Sequence, residues 1–113
     1  MRAWILLASI AALTACASHP GEDRRGATVA EISAGLMIAE NNCAACHAVG
    51  MTGNSPLRAA PPFRILSERH PIRDLEDALA EGIATGHPSM PEWILEPSEI
   101  NELLGYIQSI QTK

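Results

Sequence analysis

The stretch NNCAACHAVG, residues 41–50, places two cysteines three positions apart and a histidine directly after the second. The chain has 113 residues and three cysteines, so Cys43 and Cys46 account for all but one of its thiols. A Cys-x-x-Cys pair occurs in redox dithiols, in zinc sites and in thioether linkages to a prosthetic group. The surrounding residues decide which of these uses fits.

The histidine after the second cysteine favours the third use. In Cys-x-x-Cys-His, two thiols reach the vinyl groups of one porphyrin edge and the following imidazole reaches the iron, which is the c-type haem signature. A thioredoxin-like dithiol begins a helix after a strand, whereas Cys43 and Cys46 follow a predicted helix. A zinc site needs a fourth ligand, and the other three histidines are scattered. We expect one haem c, covalently bound through Cys43 and Cys46, with His47 on the iron.

The remaining methionines and histidines are the candidates for a second axial ligand. Met90 lies in GHPSMPEW, residues 86–93, a loop that two prolines stiffen between predicted helices. Met37 falls inside a predicted helix, and Met51 is too close to His47 in the chain to reach the opposite face of a macrocycle. We therefore interpret Met90 as the second ligand. Two alternatives stay open: His87 as the ligand, which would lower the potential, or Met90 as a packing residue.

Apolar periodicity predicts an all-α domain. Thr28-Val29-Ala30-Glu31 has the form of a capping box and begins a predicted helix over residues 29–42. Pro71 opens a second helix that Gly82 or Gly86 ends, and Ser98 caps a last helix that ends near Thr112. A shorter helical turn is predicted over residues 64–68, and no segment shows sustained period-two alternation. The apolar positions of the three longer helices are Val29, Ile32, Leu36, Ala39 and Cys43; Leu75, Ala78, Leu79 and Ile83; and Ile100, Leu103, Leu104, Ile107 and Ile110.

The first 27 residues are predicted to lie outside the folded domain. A minimal charged start, an apolar run and small residues indicate a signal peptide over residues 1–15, too short and too abruptly polar at its end for a spanning helix. The run Leu13-Thr14-Ala15-Cys16 resembles a bacterial lipobox, in which Cys16 is acylated and becomes the first mature residue. Cleavage at an A-x-A site, releasing a soluble periplasmic protein, is the alternative. Residues 16–27 are polar, contain Pro and Gly, and are predicted to form a flexible tether.

The folded part, residues 28–113, resembles a small class I c-type cytochrome, with CAACH at 43–47 as the haem motif and SMPEW at 89–93 as the distal Met-Pro segment. The resemblance implies three to five helices around one covalent haem. It also implies that Gly35 faces Tyr106 where the terminal helices cross, and that a proline carbonyl, Pro61 or less readily Pro62, accepts from the His47 imidazole. Phe63 and Trp93 are expected to line the haem pocket.

The implied function is one-electron transfer at the periplasmic face of a bacterial membrane, by a carrier and not an enzyme. With both axial positions filled there is no vacant site for a substrate. The net charge of −5 makes nucleic acid an unsuitable partner, and acidic residues at 74–81 and 92–102 are either solvated helix faces or a surface for a basic redox protein. Two alternatives remain: a haem sensor with a displaceable Met90, and a cytochrome subunit of a larger oxidoreductase.

Overall fold

The computed structural model describes residues 26–82, 90–92 and 94–112. Within these ranges the chain is helical and contains no strand, which confirms the all-α prediction. The predicted signal peptide, Cys16, His87 and Trp93 lie outside the described residues, and so does nearly all of the predicted tether. The elements are α1 (Val29–Asn42), a 3₁₀ helix (Phe63–Glu68), a second 3₁₀ helix (Ile72–Asp74), α2 (Leu75–Glu81) and α3 (Pro97–Ser109).

Helix α1 begins at the predicted capping box. The Thr28 hydroxyl accepts from the Glu31 backbone N–H at 3.2 Å, and the Glu31 carboxylate accepts from the Thr28 N–H at 2.7 Å. Because these bonds satisfy backbone donors that a helix start leaves unpaired, the helix begins here. Val29, expected on the apolar face, is instead 82% exposed. It occupies the first turn, about 9 Å along the axis from the crossing at Gly35.

Helices α1 and α3 cross at Gly35, as predicted. A Cβ on Gly35 would lie 2.8 Å from the Tyr106 Cβ and would collide with the backbone carbonyl oxygen of Glu102. A second close approach lies nearby, where a Cβ on Gly105 would come within 2.6 Å of the Ala27 Cβ. The absence of side chains at these points allows the two helix backbones to approach closely.

The middle of the chain is more irregular than predicted. Pro71 does not open an α-helix; its backbone is extended, with ψ of 134°, and the turn after it is 3₁₀. Helix α2 therefore begins only at Leu75, and it ends at Gly82, whose φ of 74° is a left-handed conformation that glycine adopts without strain. Of the two glycines considered as terminators, Gly82 is the one used.

Helix α3 begins two residues earlier than predicted. Its N-cap is Glu96 and not Ser98, because the Glu99 carboxylate accepts from the Glu96 N–H at 2.9 Å and Pro97 occupies the first helical position. The helix ends at Ser109, and the chain then turns back onto the 3₁₀ helix Phe63–Glu68.

The core lies between α1, α3 and the segments that connect them. None of the helices within the described ranges is long and apolar enough to span a bilayer. The buried side chains that pack together in this core are Ala39, Phe63, Ile72, Leu79, Ile100, Leu103, Tyr106, Ile107 and Ile110.

Candidate functional site

The Cys-x-x-Cys-His motif continues directly from the C-terminus of α1. Cys43 caps the helix, with its N–H bonded to the Ala39 carbonyl at 2.9 Å. The Cys43 carbonyl then accepts from Cys46 N at 3.1 Å and from His47 N at 2.9 Å. These bonds extend the chain by one more helical turn, so that both cysteines and the histidine lie on a single turn.

Both thiols of the motif are free. Cys43 and Cys46 form no disulfide with each other, and both side chains are half-buried. Burial raises the pKa of the Cys43 thiol to about 11, because an apolar environment disfavours the thiolate. Within the described residues no three side chains of His, Cys, Asp or Glu converge on a point that could hold a metal ion.

The imidazole of His47 is held by the backbone of Pro61. Nδ1 of His47 lies 2.8 Å from the Pro61 carbonyl oxygen. Since a carbonyl oxygen only accepts, Nδ1 carries the proton and the lone pair lies on Nε2, the atom available to a metal. Of the two adjacent prolines, Pro61 is the acceptor. The ring of Phe63 packs against the imidazole, with centroids 5.1 Å apart and a tilt of 50°.

The loop after the motif is fixed by three contacts. The Leu57 N–H donates to the Cys46 carbonyl at 3.1 Å, and the Ala48 N–H donates to the Ser55 hydroxyl oxygen at 3.0 Å. From α3, the Tyr106 hydroxyl donates to the Val49 carbonyl at 2.7 Å. The backbone on both sides of His47 is thus tied to the rest of the domain.

Met90 lies between α2 and α3, in a bend of the chain, and is half-buried. The two ends of the segment that carries it come together. The Leu95 N–H lies 3.5 Å from the Leu79 carbonyl oxygen, and a Cβ on Gly82 would be 3.7 Å from Cγ1 of Ile94. The described residues on either side of this segment are therefore in contact with each other. Trp93 and the rival ligand His87 belong to the same segment but are outside the described residues.

The donor set fits a haem. Two free thiols and one imidazole with its Nε2 lone pair share a helical turn, and an aromatic ring packs beside that imidazole. Residues 30–107 match the model of the family described as "Cytochrome C oxidase, cbb3-type, subunit III". The chain belongs to this family of cytochrome c domains. Comparisons with curated proteins and with solved structures gave no match.

As a cytochrome c domain, the chain carries one covalent c-type haem, and Cys43 and Cys46 have the spacing for its attachment. The family match confirms the resemblance to monohaem c-type cytochromes and the prediction of a haem cofactor. Haem-based electron transfer follows as the general function of the chain.

Three contacts near the site were not predicted from the sequence. Ser55 accepts from Ala48, Gln111 bonds the segment that follows Pro61, and Tyr106 was expected at the helix crossing but not as a donor to Val49. A polar residue in a loop or after a helix carries no local pattern that names a partner dozens of residues away. Only the fold reveals these contacts.

Proposed function

We propose that this cytochrome is an extracytoplasmic one-electron carrier with His47 and Met90 as axial ligands. The observation that carries the proposal is the 2.8 Å contact from His47 Nδ1 to the Pro61 carbonyl. It orients the imidazole directly behind the two attachment cysteines and leaves Nε2 for the iron. A ring held in one orientation is what a permanent axial ligand requires, because the hydrogen bond from Nδ1 fixes both the tautomer and the orientation of the imidazole.

The chemistry that the bound haem supplies is one-electron exchange between Fe(III) and Fe(II). The role of the chain is to hold the ligands and to exclude water. His47 is oriented by Pro61 and shielded by Phe63, whose side chain is only 6% exposed. Met90 lies in a segment whose flanking residues are in contact with each other, and its neutral thioether favours the ferrous state and so raises the potential. With two protein ligands retained in both redox states, little rearrangement accompanies electron transfer.

The ligand assignment is tested by the visible and near-infrared spectra of the haem-loaded full chain and two single variants. Oxidised wild type should show the thioether-to-iron charge-transfer band. Met90→Ala should lose that band and, when reduced, bind carbon monoxide at neutral pH. His87→Ala, three residues away in the same loop, should keep the band. A wild-type protein without the band, in which only His87→Ala binds carbon monoxide, would assign the iron to His87. A wild-type protein that binds carbon monoxide readily would support a sensor.

The location of the carrier is proposed from the sequence of its first 27 residues. A lipobox-like run before Cys16 supports a lipid anchor on the periplasmic face of a membrane, and residues 16–27 then tether the domain. Mass spectrometry of the exported protein should find an acylated Cys16 as the first residue, and the protein should fractionate with membranes. A mature chain that begins after residue 17 and remains soluble would support the A-x-A alternative.

The acidic surface formed by Asp74, Glu76, Asp77 and Glu81 supports a basic redox partner. All four side chains are exposed on or beside α2. Charges of one sign on one face raise the rate of encounter with an oppositely charged protein, and salt screens the effect. Reduction or oxidation by a basic cytochrome should therefore slow as ionic strength rises. A rate that does not change with salt would contradict this part of the proposal.

A second candidate function is that of a cytochrome subunit in a larger oxidoreductase. The observation that favours it is the description of the matched family as a subunit of a cbb3-type oxidase. Solubilisation of membranes in mild detergent distinguishes the two. A free carrier should elute at the size of the single chain, whereas a subunit should elute with larger proteins and its haem should be reduced through them.

A further inference from the structure

Gln111 and Thr112, the second and third residues after the C-terminal helix, turn back onto the segment that follows Pro61. The Gln111 side-chain amide Nε2 donates to the Phe63 carbonyl and to the Ile107 carbonyl, at 2.7 Å in both cases. Its Oε1 accepts from the Ser67 N–H at 2.9 Å. One side chain thus joins the end of α3 to both the beginning and the later part of the 3₁₀ helix.

The neighbouring residue reinforces the same contact. The Thr112 N–H donates to the Arg64 carbonyl at 2.9 Å, and its hydroxyl donates to the same oxygen at 3.2 Å. We call Gln111 and Thr112 together the C-terminal clasp. Its contacts with the 3₁₀ helix reach residues 44 to 48 positions earlier in the chain.

The orientation of the Gln111 amide is determined by its partners. Two carbonyl oxygens can only accept, so the nitrogen must face Phe63 and Ile107; the Ser67 N–H can only donate, so the oxygen must face it. Turning the amide over would place oxygen against two oxygens and nitrogen against a donor. All three bonds therefore depend on the one arrangement of this side chain.

The clasp acts on the same backbone that orients His47. Pro61 and Pro62 have no N–H group, so the first backbone donor after the Pro61 carbonyl is the Phe63 N–H, which bonds to the Ala48 carbonyl at 2.9 Å. The carbonyl of the same residue is held by Gln111. Phe63 is thus fixed on both sides, and its ring packs on the imidazole whose Nδ1 bonds to Pro61.

We propose that Gln111 is a positioning residue for the axial histidine: by anchoring the Phe63 carbonyl it holds the Pro61 carbonyl against His47 Nδ1. The strength of that hydrogen bond sets the basicity of the ring, and through it the redox properties of a bound metal. The inference rests on the proposed role of His47 as the iron ligand. It predicts that a residue near the C-terminus changes the redox properties of the haem without contacting it.

The test uses the haem-loaded full chain with Gln111→Glu and Gln111→Ala. Glutamate has nearly the same shape but cannot donate to the two carbonyls, and alanine removes the side chain without adding charge. In the reduced protein, the His47 ring N–H should exchange with solvent about ten times faster in both variants, as measured by NMR. A tenfold change in rate corresponds to the free energy of about one hydrogen bond. The midpoint potential should shift in the same direction in both.

Two control variants separate positioning from charge and from stability. Gln108→Glu adds the same charge at an exposed site in the last turn of α3. Ile100→Val weakens the buried core, where Ile100 is 3% exposed, without touching the clasp. In both control variants the His47 ring N–H should exchange at the wild-type rate, whereas in the Gln111 variants it should exchange faster. The rates are compared at equal global stability.

The outcomes are distinguishable from those of the proposed function. If the Gln111 variants lose stability but keep the wild-type exchange rate and potential, the residue is structural only and the inference is overturned. If wild type lacks the spectrum of a low-spin haem with a histidine ligand, the proposed function fails, and the inference, which rests on His47 as the iron ligand, is overturned with it. Retention of the wild-type spectrum with faster ring exchange in both Gln111 variants supports the inference.

Discussion

Nδ1 of His47 donates to the carbonyl oxygen of Pro61 at 2.8 Å, and the residue after that acceptor is a second proline. The direction of the Pro61 carbonyl depends on the ψ angle of Pro61. A following proline restricts that angle to the extended region, because its ring clashes with other conformations. Pro62 therefore helps to orient the Pro61 carbonyl, although its own carbonyl is not the acceptor.

Substitution of Pro62 tests this explanation. Pro62→Ala should release the Pro61 carbonyl and accelerate exchange of the His47 ring N–H in the haem-loaded protein. It should also lower the free energy of unfolding by about 1 kcal/mol, because the unfolded chain gains freedom. Pro56→Ala, at an exposed site in the preceding loop, should leave the ring exchange as in wild type. Equal exchange rates in all three proteins, measured by NMR, would contradict the role of the doubled proline.

Gly35→Ala should destabilise the domain although alanine is the better helix former. In an isolated helix the exchange would gain about 1 kcal/mol. Here the new Cβ would lie 2.8 Å from the Tyr106 Cβ and collide with the Glu102 backbone, so α1 and α3 must separate. We expect a net loss of about 3 kcal/mol in chemical denaturation. Gly50→Ala, where no atom lies within 4 Å of the new Cβ, is the control and should change stability little.

The single tyrosine of the chain gives a clean pH titration. Burial, and secondly the negative charge of Glu40, raise the pKa of Tyr106 above its ordinary value of 10.0. The folded protein therefore keeps this proton at a pH where the unfolded chain has lost it. The resulting stability is fully present below about pH 10 and is lost as pH rises through the folded pKa. Since a phenolate cannot donate, the bond to the Val49 carbonyl is lost in the same step.

This titration is measured by the ultraviolet difference absorbance of tyrosinate. Wild type should titrate above pH 10, and Glu40→Gln should titrate at lower pH because the repelling charge is gone. Tyr106→Phe should abolish the signal and confirm its source. A Glu40→Gln midpoint equal to that of wild type would show that desolvation alone raises the pKa.

Local signals predicted the parts of the fold that local chemistry determines. The capping box at Thr28 gave the start of α1, and the Gly35 contact with Tyr106 followed from the family resemblance. The haem-binding role of residues 43–47 could be predicted because covalent attachment to one porphyrin requires these residues to be close together in the sequence. At the start of α3 the prediction was wrong, because Ser98 was expected as the cap and the helix begins after Glu96.

Other long-range contacts could not be predicted from the residues alone. The family resemblance favoured Pro61 over Pro62 as the acceptor, and the contact confirms it, but the adjacent prolines offer equivalent carbonyls until the fold of the loop at 48–60 is known. Gln111 bonds to Phe63 across 48 positions of sequence, and nothing in its neighbours indicates a partner. The exposure of Val29 likewise depends on where α3 crosses α1, which helical periodicity alone does not determine.

The hydroxyl group of Ser55 holds the loop that follows the motif. Its oxygen accepts from the N–H of buried Ala48, the residue directly after His47. Ser55→Ala would leave that donor unpaired in a half-buried position, so the free energy of unfolding should fall by about 1–2 kcal/mol. Ser55→Thr, which keeps the hydroxyl, should restore most of it.

The matched control is Ser33→Ala on α1. Ser33 also uses its hydroxyl, donating to the Val29 carbonyl at 2.9 Å, but on an exposed face of a helix. There water replaces the lost bond and alanine favours the helix, so stability should be unchanged or slightly higher. Chemical denaturation of the haem-loaded proteins measures both effects. Equal stability of the two Ser→Ala variants would mean that Ala48 finds another acceptor, and that the loop does not depend on Ser55 to hold the backbone beside His47.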